Sequence, residues 1–404
     1  MNVKTIRMLS MAFVVTFIAV CIIIFPQDVL EASRKGVEMW SQSVLPALLP
    51  FFIIAELLIA FGVVSFIGVL LEPLMRPLFR VPGCGGFVWA MGFASGFPSG
   101  AKFTVRLREA GKLTREEAER LVSFTNSSSP LFIFGAISVG FFHDPTLGLL
   151  LAFAHYASNT TVGILMRFYK HSAPPSPPAS ASFSIGAALR ALKREQENDK
   201  RPLGKKLGDA LTTSIHTLLM VGGFIVLFSV LYRIMHVTGL IHFVALIPAY
   251  ALHSLQFAQE LAFPWVSGFF EITVGSKLTS DLEHTSLLEK AIVVSFILGF
   301  SGFSVQAQVA SLLADSDLRF KPFFIARWLH GCLAALFTYL AWEPFYKKLL
   351  QEPTFNGNSL PTMTTWWDVV EKWLSTYGSF FTIAALLLYV YTIHRFTLSK
   401  RNET

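Results

Sequence analysis

Residues 122–136 read VSFTNSSSPLFIFGA, and 172 positions further on residues 294–308 read VSFILGFSGFSVQAQ. Both stretches open with Val-Ser-Phe inside an apolar run and then break it. The first does so with Asn126-Ser127-Ser128-Ser129-Pro130, the second with Ser301-Gly302 followed by Gln306 and Gln308. Each has the pattern of a membrane helix interrupted halfway. In lipid every backbone N–H and C=O needs an internal partner, so an unwound turn at membrane depth survives only where protein or a wet cavity covers it. Paired interruptions in corresponding halves of a chain point to the substrate site of a secondary transporter.

Composition agrees. The chain has 404 residues, of which 53% are hydrophobic and only 15% charged, with 39 Phe. That is more apolar surface than a soluble core hides, so the chain is read as a polytopic membrane protein. The net charge of +7 suits basic cytoplasmic loops and forms no aromatic-interleaved face for nucleic acid. Cys21, Cys84 and Cys332 lie in apolar or Gly-rich surroundings and are read as buried thiols, neither a disulfide framework nor a metal site. No HExxH, CxxC or phosphate-cradling loop suggests an enzyme or a cofactor.

Lys4 and Arg7 precede an apolar run at 8–25 that is expected to stay as an uncleaved anchor helix. Further runs fall at 47–71, 121–142 and 147–168, then at 215–235, 240–252, 261–270, 291–314, 323–342 and 379–393. The segment GFVWAMGFASGFPSGAK at 86–102 is too short and Gly-rich to span, and reads as a re-entrant hairpin with its tip at 96–100. The Pro/Ser-rich stretch HSAPPSPPASAS at 171–182 reads as a linker that does not pack. At the same offset of 172, Phe52-Ile53-Ile54 meets Phe224-Ile225-Val226 and Gly96-Phe97 meets Gly268-Phe269. The expected organisation follows: 1–44 an anchor helix and outer loop; 45–170 the first repeat; 171–212 a basic cytoplasmic linker; 213–342 the second repeat; 343–375 an outer loop; 376–404 a last transmembrane helix and basic tail.

Nine Lys and Arg between Arg167 and Lys206 place the linker and both termini on the cytoplasmic side. Three full crossings and a hairpin per repeat then force the second repeat into the opposite topology. The expected fold is an all-α polytopic membrane protein of two inverted-topology repeats, each with a re-entrant hairpin and a broken transmembrane helix, flanked by N- and C-terminal transmembrane helices.

Three segments carry a more specific resemblance: GFASGFPSGAKFTVRL at 92–107, EEAERLVSFTNSSSPLFIFGAISVGFF at 116–142 and GFFEITVGSKLTS at 268–280. Through them the chain resembles the sporulation integral membrane protein YlbJ family, whose halves are each a nucleoside recognition Gate domain. The resemblance implies transport of dipicolinic acid, a planar pyridine dicarboxylate, out of the mother cell across the outer forespore membrane. The Gate domain also looks like the core of nucleoside carriers, so a nucleoside or other small-solute carrier is the nearest alternative, and a non-transporting sporulation scaffold the next.

A planar dianion needs donors and positive potential, which half-helix N-termini supply. The candidate substrate-binding residues are Asn126, Ser127, Ser128 and Ser129, with Ser301, Gly302, Gln306 and Gln308 opposite, and Ser99 and Gly100 at the hairpin tip. The competing explanation is that these small residues let helices pack closely. Lys102 is a further candidate, though it and Lys277 lie near expected membrane boundaries, where snorkelling explains them as well. Arg106 and Arg108 read as positive-inside anchors. Glu271, inside an apolar run, is the coupling or gating candidate, with Glu56 ranked behind it. His155 and His330, in the last helix of each repeat, read as hydrogen-bonded core histidines with no second His beside them. Trp366-Trp367 reads as an interfacial belt. Expected partners are a small anionic substrate and membrane lipid; self-association through outer helices is left open.

Overall fold

The computed structural model describes residues 3–177, 185–254 and 256–347, and among these there is no β-strand. The final crossing expected at 379–393 and the Trp366-Trp367 pair lie outside the described residues. The chain opens with α1 (Val3–Ile24) and α2 (Pro26–Met39), bent by 102° where Pro26 starts the second helix. Residues 26–44, expected as an outer loop, are therefore helical, and a π-helical segment Trp40–Val44 runs on into α3 (Leu45–Ala60). Gly62, at φ +77°, turns the chain by 83° into α4 (Val63–Phe79). The run at 47–71 is thus two helices joined at a sharp bend rather than one straight helix.

Next come α5 (Cys84–Ser95) and α6 (Ser99–Glu109), the two arms of the expected hairpin, and α7 (Arg115–Thr125). After an unwound segment at 126–129 the chain resumes as a π-helix, Leu131–Phe141, and then α8 (Pro145–Met166). The linker carries α9 (Ile185–Asn198). The second half repeats the order: α10 (Leu203–Val237) and α11 (Leu240–Ser254), hairpin arms α12 (Ala262–Phe270) and α13 (Ile272–Ser280), broken helix α14 (Leu287–Phe300) and α15 (Gly302–Ala314), and closing helix α16 (Phe320–Ala341). Among the described residues four helical stretches are long and apolar enough to cross a membrane, and the two bent pairs, each taken as one span, bring the count to as many as six. The exterior is correspondingly apolar: Phe243, Ile247 and Tyr250 of α11 and Leu336, Tyr339 and Leu340 of α16 are all exposed. Such a surface is stable in lipid and not in water. Cys332 also faces outward from α16, in contrast to the buried Cys21 and Cys84.

Two helices of the second half join it to the first: α10 packs against α2 and α3, and α16, which lies on α14 of its own half, packs against α7 and α8. The α14 approach is close because both partners are glycine: a Cβ on Gly299 would stand 2.8 Å from Gly331 Cα. A polar layer then ties the loops that charge assigns to the cytoplasmic side. Arg108 holds the Asp317 carboxylate with both Nε and Nη2, at 3.1 and 2.9 Å. Glu119 accepts from Arg319 Nε at 2.8 Å, Nη2 at 2.7 Å and the Arg319 backbone N–H at 3.1 Å, and from the Tyr169 hydroxyl at 2.9 Å.

The linker belongs to this layer as well, contrary to the expectation that it would not pack. Ser176 donates its N–H and its hydroxyl to the buried Glu117 at 3.0 Å each, and Glu195 of α9 accepts from Lys112 and Ser65 at 2.8 and 2.9 Å. The reason is local: a buried carboxylate requires donors, and the linker supplies them.

Burial pushes the Glu119 carboxyl up, but the Arg319 fork, the Arg319 N–H and the Tyr169 hydroxyl outweigh it and hold the group below the usual carboxylate range. Its contribution to stability is present above the unfolded value near pH ~4.3 and is lost as pH falls through the lower folded value. Glu119→Gln should therefore lower the melting temperature of the detergent-solubilised protein at pH 7, at a cost of about 2–3 kcal/mol. Below pH ~4 the gap to wild type should close; melting curves across that range check both halves of the expectation.

Candidate functional site

α7 begins with a capping box: the Thr114 hydroxyl accepts from the Glu117 N–H, and the Glu117 carboxylate accepts from the Thr114 N–H. It ends at Asn126, which is extended at φ −91°, ψ 92°. Pro130 then opens the π-helical half with its first N–H already missing, and Ser129 Oγ accepts from the Phe132 N–H at 3.3 Å. Between these ends the Ser129 carbonyl takes the first bonds of the next helix, from the Phe132 and Ile133 N–H groups, while the last turn of α7 leaves its carbonyls to partners outside the helix.

Those groups are satisfied from α8 and α16. Arg327 donates Nη1 to the Asn126 carbonyl at 2.8 Å and Nη2 to the Ser123 carbonyl. Asn159 donates to the Phe124 carbonyl, and its own side-chain oxygen accepts from Arg327 Nη2 at 3.3 Å. The Tyr156 hydroxyl donates to the Ser128 carbonyl, and the Ser128 N–H donates to His155 Nε2, each at 3.0 Å. A cation placed against the carbonyl end of α7 also complements that half helix's dipole.

The histidine tautomers follow from these bonds. A guanidinium only donates, so His330 Nδ1, 3.0 Å from Arg327 Nη1, is an acceptor and the ring proton sits on Nε2, which donates to the His155 carbonyl at 2.9 Å. A backbone N–H only donates, so His155 carries its proton on Nδ1 when neutral. The two rings, expected to stand apart, lie with centroids 4.6 Å from each other. The tertiary fold brings together what sequence spacing keeps separate.

Several polar atoms in this region are buried and without a partner: both side-chain atoms of Asn126, Ser128 Oγ, His155 Nδ1 and Arg327 Nε. Buried polar groups in a folded protein are normally paired, and this cluster of exceptions is what singles the first break out as the candidate site.

The other candidates divide by role. Ser127 donates weakly to the Gly92 carbonyl at 3.4 Å, and the Ser99 hydroxyl is committed to the Gly96 carbonyl. Gly100 is a packing residue: a Cβ there would stand 2.2 Å from the Thr125 carbonyl oxygen, and one on Gly92 would stand 1.9 Å from the same atom. The first hairpin thus presses on the first break. Lys102 does not snorkel. It is buried, with Nζ 3.5 Å from Glu56 Oε1 and 4.3 Å from the Phe52 ring centroid, so the acid ranked second is the one that pairs. Lys277 is exposed and bridges to Asp281.

The second break is smaller. Ser301 alone leaves the helix, at φ +69°, and α14 with α15 still forms one apolar stretch of 28 residues. Gly302 continues the turn at φ +60° and lies against Gly268 and Ile272 of the second hairpin. Gln306 donates to the Phe300 carbonyl at 3.0 Å and, with Ser301 Oγ, leaves its own oxygen unpaired; Gln308 is buried in the same helix. Glu271 caps α13, its carboxylate accepting from the Val274 N–H at 2.8 Å. The two break clusters are thus built separately, each against its own hairpin, while α15 lies along α6.

Arg327 is the residue that reading the sequence missed. An arginine inside the run 323–342 is a stronger signal than the histidine three positions on, because a permanent charge at membrane depth is costly and therefore functional by default. The repeat offset gave a second signal, since 172 residues before Arg327 stands His155.

Helical repeats, a hairpin and a covered break define a polytopic membrane protein of the Gate type: residues 42–144 match the Gate family, described as nucleoside recognition. Sporulation integral membrane protein YlbJ of Bacillus subtilis (strain 168) is 51% identical over 395 residues, which cover 96% of this chain and 97% of that protein. The chain belongs to the YlbJ family of sporulation integral membrane proteins. No solved structure matches it.

Because Gly100 meets backbone rather than a flexible side chain, Gly100→Ala should cost about 3 kcal/mol or more through displacement of the break. The expected result is a lower melting temperature in detergent without ligand, a readout that a purely ligand-contacting glycine would leave unchanged.

Proposed function

We propose that the protein is a carrier that moves dipicolinate, a small aromatic dianion, out of the mother cell across the outer forespore membrane by alternating access, with both termini cytoplasmic. The observation that carries this reading is the set of buried, unfilled hydrogen-bonding groups at the first break, beside a single cation. Buried hydrogen-bonding groups beside a cation suit an anion better than a neutral solute, and they suit transport better than scaffolding. Membership in a sporulation family supplies the setting. The loops that meet in pairs, Arg108 with Asp317 and Glu119 with Arg319, are those that the inverted topology puts on one side.

A dianion leaving an electrically negative compartment gains about 2.3 kcal/mol per charge for each 100 mV, or roughly 4.6 kcal/mol in all, so export needs no coupled ion. Where a proton is coupled or a gate closes, Glu271 at the second hairpin tip is the residue assigned. A nucleoside carrier is the second reading, favoured by the family description that residues 42–144 match.

Liposomes carrying the purified protein test the two directly. Labelled dipicolinate should show saturable flux that responds to an imposed potential, and a folded variant with Asn126, Ser128 and Ser129 all changed to Ala should lose it at least tenfold. Flux of nucleosides in its place would transfer the assignment to the second reading, and no flux of any solute in either orientation would favour the scaffold.

A further inference from the structure

Arg327 is fully buried, and among the described residues no carboxylate pairs with it. Four of its five N–H donors are used: on the Asn126 carbonyl, His330 Nδ1, the Ser123 carbonyl and the Asn159 side-chain oxygen. All four acceptors are neutral. The fifth donor, Nε–H, has no partner. The arginine is thus held in place by dipoles while its charge stays uncompensated, which is costly in a protein interior unless a counter-charge arrives.

The unfilled atoms nearby are linked to it by short chains of bonds. Asn126 receives Arg327 through its carbonyl and leaves its side-chain amide free. His330 Nδ1 accepts from Arg327 Nη1 while its Nε2–H donates to the His155 carbonyl, and His155 Nε2 in turn accepts from the Ser128 N–H. His155 Nδ1–H and Ser128 Oγ are the free groups at the end of that chain. One cationic donor and three neutral hydrogen-bonding groups, each on a residue that is at most 1% exposed, are the kinds of group that a carboxylate would need.

We propose that Arg327, contributed by the second repeat, is the cation that receives one carboxylate of the solute at the break of the first repeat, through Nε–H, with Asn126 Nδ2, Ser128 Oγ and His155 Nδ1–H as the neutral donors. This assignment rests on the first break being the substrate site and adds the charge that selects an acid over a neutral ring. It also gives binding a mechanical consequence. Three of the four atoms that hold Arg327 belong to the last turn and C-cap of α7 and to α8, so a carboxylate drawn to its guanidinium acts on the joint between the repeats.

The test is equilibrium binding of labelled dipicolinate to the full chain in detergent, with picolinate, benzoate and uridine as competitors, for wild type and for Arg327→Gln, Arg327→Lys, Asn126→Ala and Ser128→Ala. Arg327→Gln should weaken dipicolinate about hundredfold, and Arg327→Lys should recover part of that loss because it keeps the charge but not the fork. Asn126→Ala and Ser128→Ala remove side-chain atoms that bond to nothing in the protein, so a structural role predicts no change in affinity, whereas the carboxylate site predicts a loss of about tenfold each. These two variants keep the test decisive if Arg327→Gln does not fold. Wild-type binding of dipicolinate with all folded variants within threefold would overturn the Arg327 site and leave the carrier standing. Binding of another carboxylate, with Arg327 dependence, would keep the site and replace the substrate. A chain that binds uridine and no carboxylate sinks both.

Discussion

An unwound backbone inside a membrane protein must find its hydrogen bonds within the protein, and here the guanidinium of Arg327 is the group on which that depends. It spans from α16 to the carbonyl end of α7, and Asn159, Tyr156 and His155 of α8 take the remaining groups. The break, the two crossing helices and the junction of the repeats are consequently one hydrogen-bonded unit, and none of its members moves without the others.

The two halves share an order of elements but not a chemistry. The first break is four residues of unwound polar chain, pressed by a hairpin whose Gly92 and Gly100 leave no room for a side chain. The second is a single left-handed serine in an otherwise continuous stretch, set among the rings of Phe269, Phe296, Phe300 and Trp328. The hairpin tips differ in the same sense. At the second, the Glu271 carboxylate already occupies the N-terminus of α13, where an anionic solute would otherwise go; at the first, no acid stands there. A duplicated architecture thus carries a polar break in one half and an aromatic-lined hairpin and break in the other, each with buried polar atoms that have no partner in the protein.

Away from the break, carboxylates organise the polar layer that ties the loops together. Glu117 gathers Ser176 of the linker, Glu119 gathers Arg319 of the other repeat, and Glu195 of α9 holds Lys112 in the turn between hairpin and broken helix. The linker therefore reaches the same turn that leads into the break. Any motion of the first hairpin relative to α4 has to rearrange these pairs, which makes this layer the natural partner of events at the membrane core.

Sequence alone determined that the chain is helical and membrane-embedded, that it contains a repeat, and that each half has a hairpin and an interruption, because hydropathy and Gly, Pro and Ser placement act within a few residues. It also singled out Asn126, Ser128 and Ser301, whose polarity inside apolar runs is visible without a fold. What it did not determine were the relations between distant segments. The meeting of His155 with His330, the pairing of Lys102 with Glu56 and the burial of Arg327 against Asn126 join residues that local periodicity cannot connect. Gly100 was visible as a small residue, but only the approach of the Thr125 carbonyl shows that its smallness serves packing. The tertiary structure decided these points because desolvation and hydrogen bonding act on whatever neighbours the fold supplies, and the sequence names those neighbours only after the chain has closed on itself.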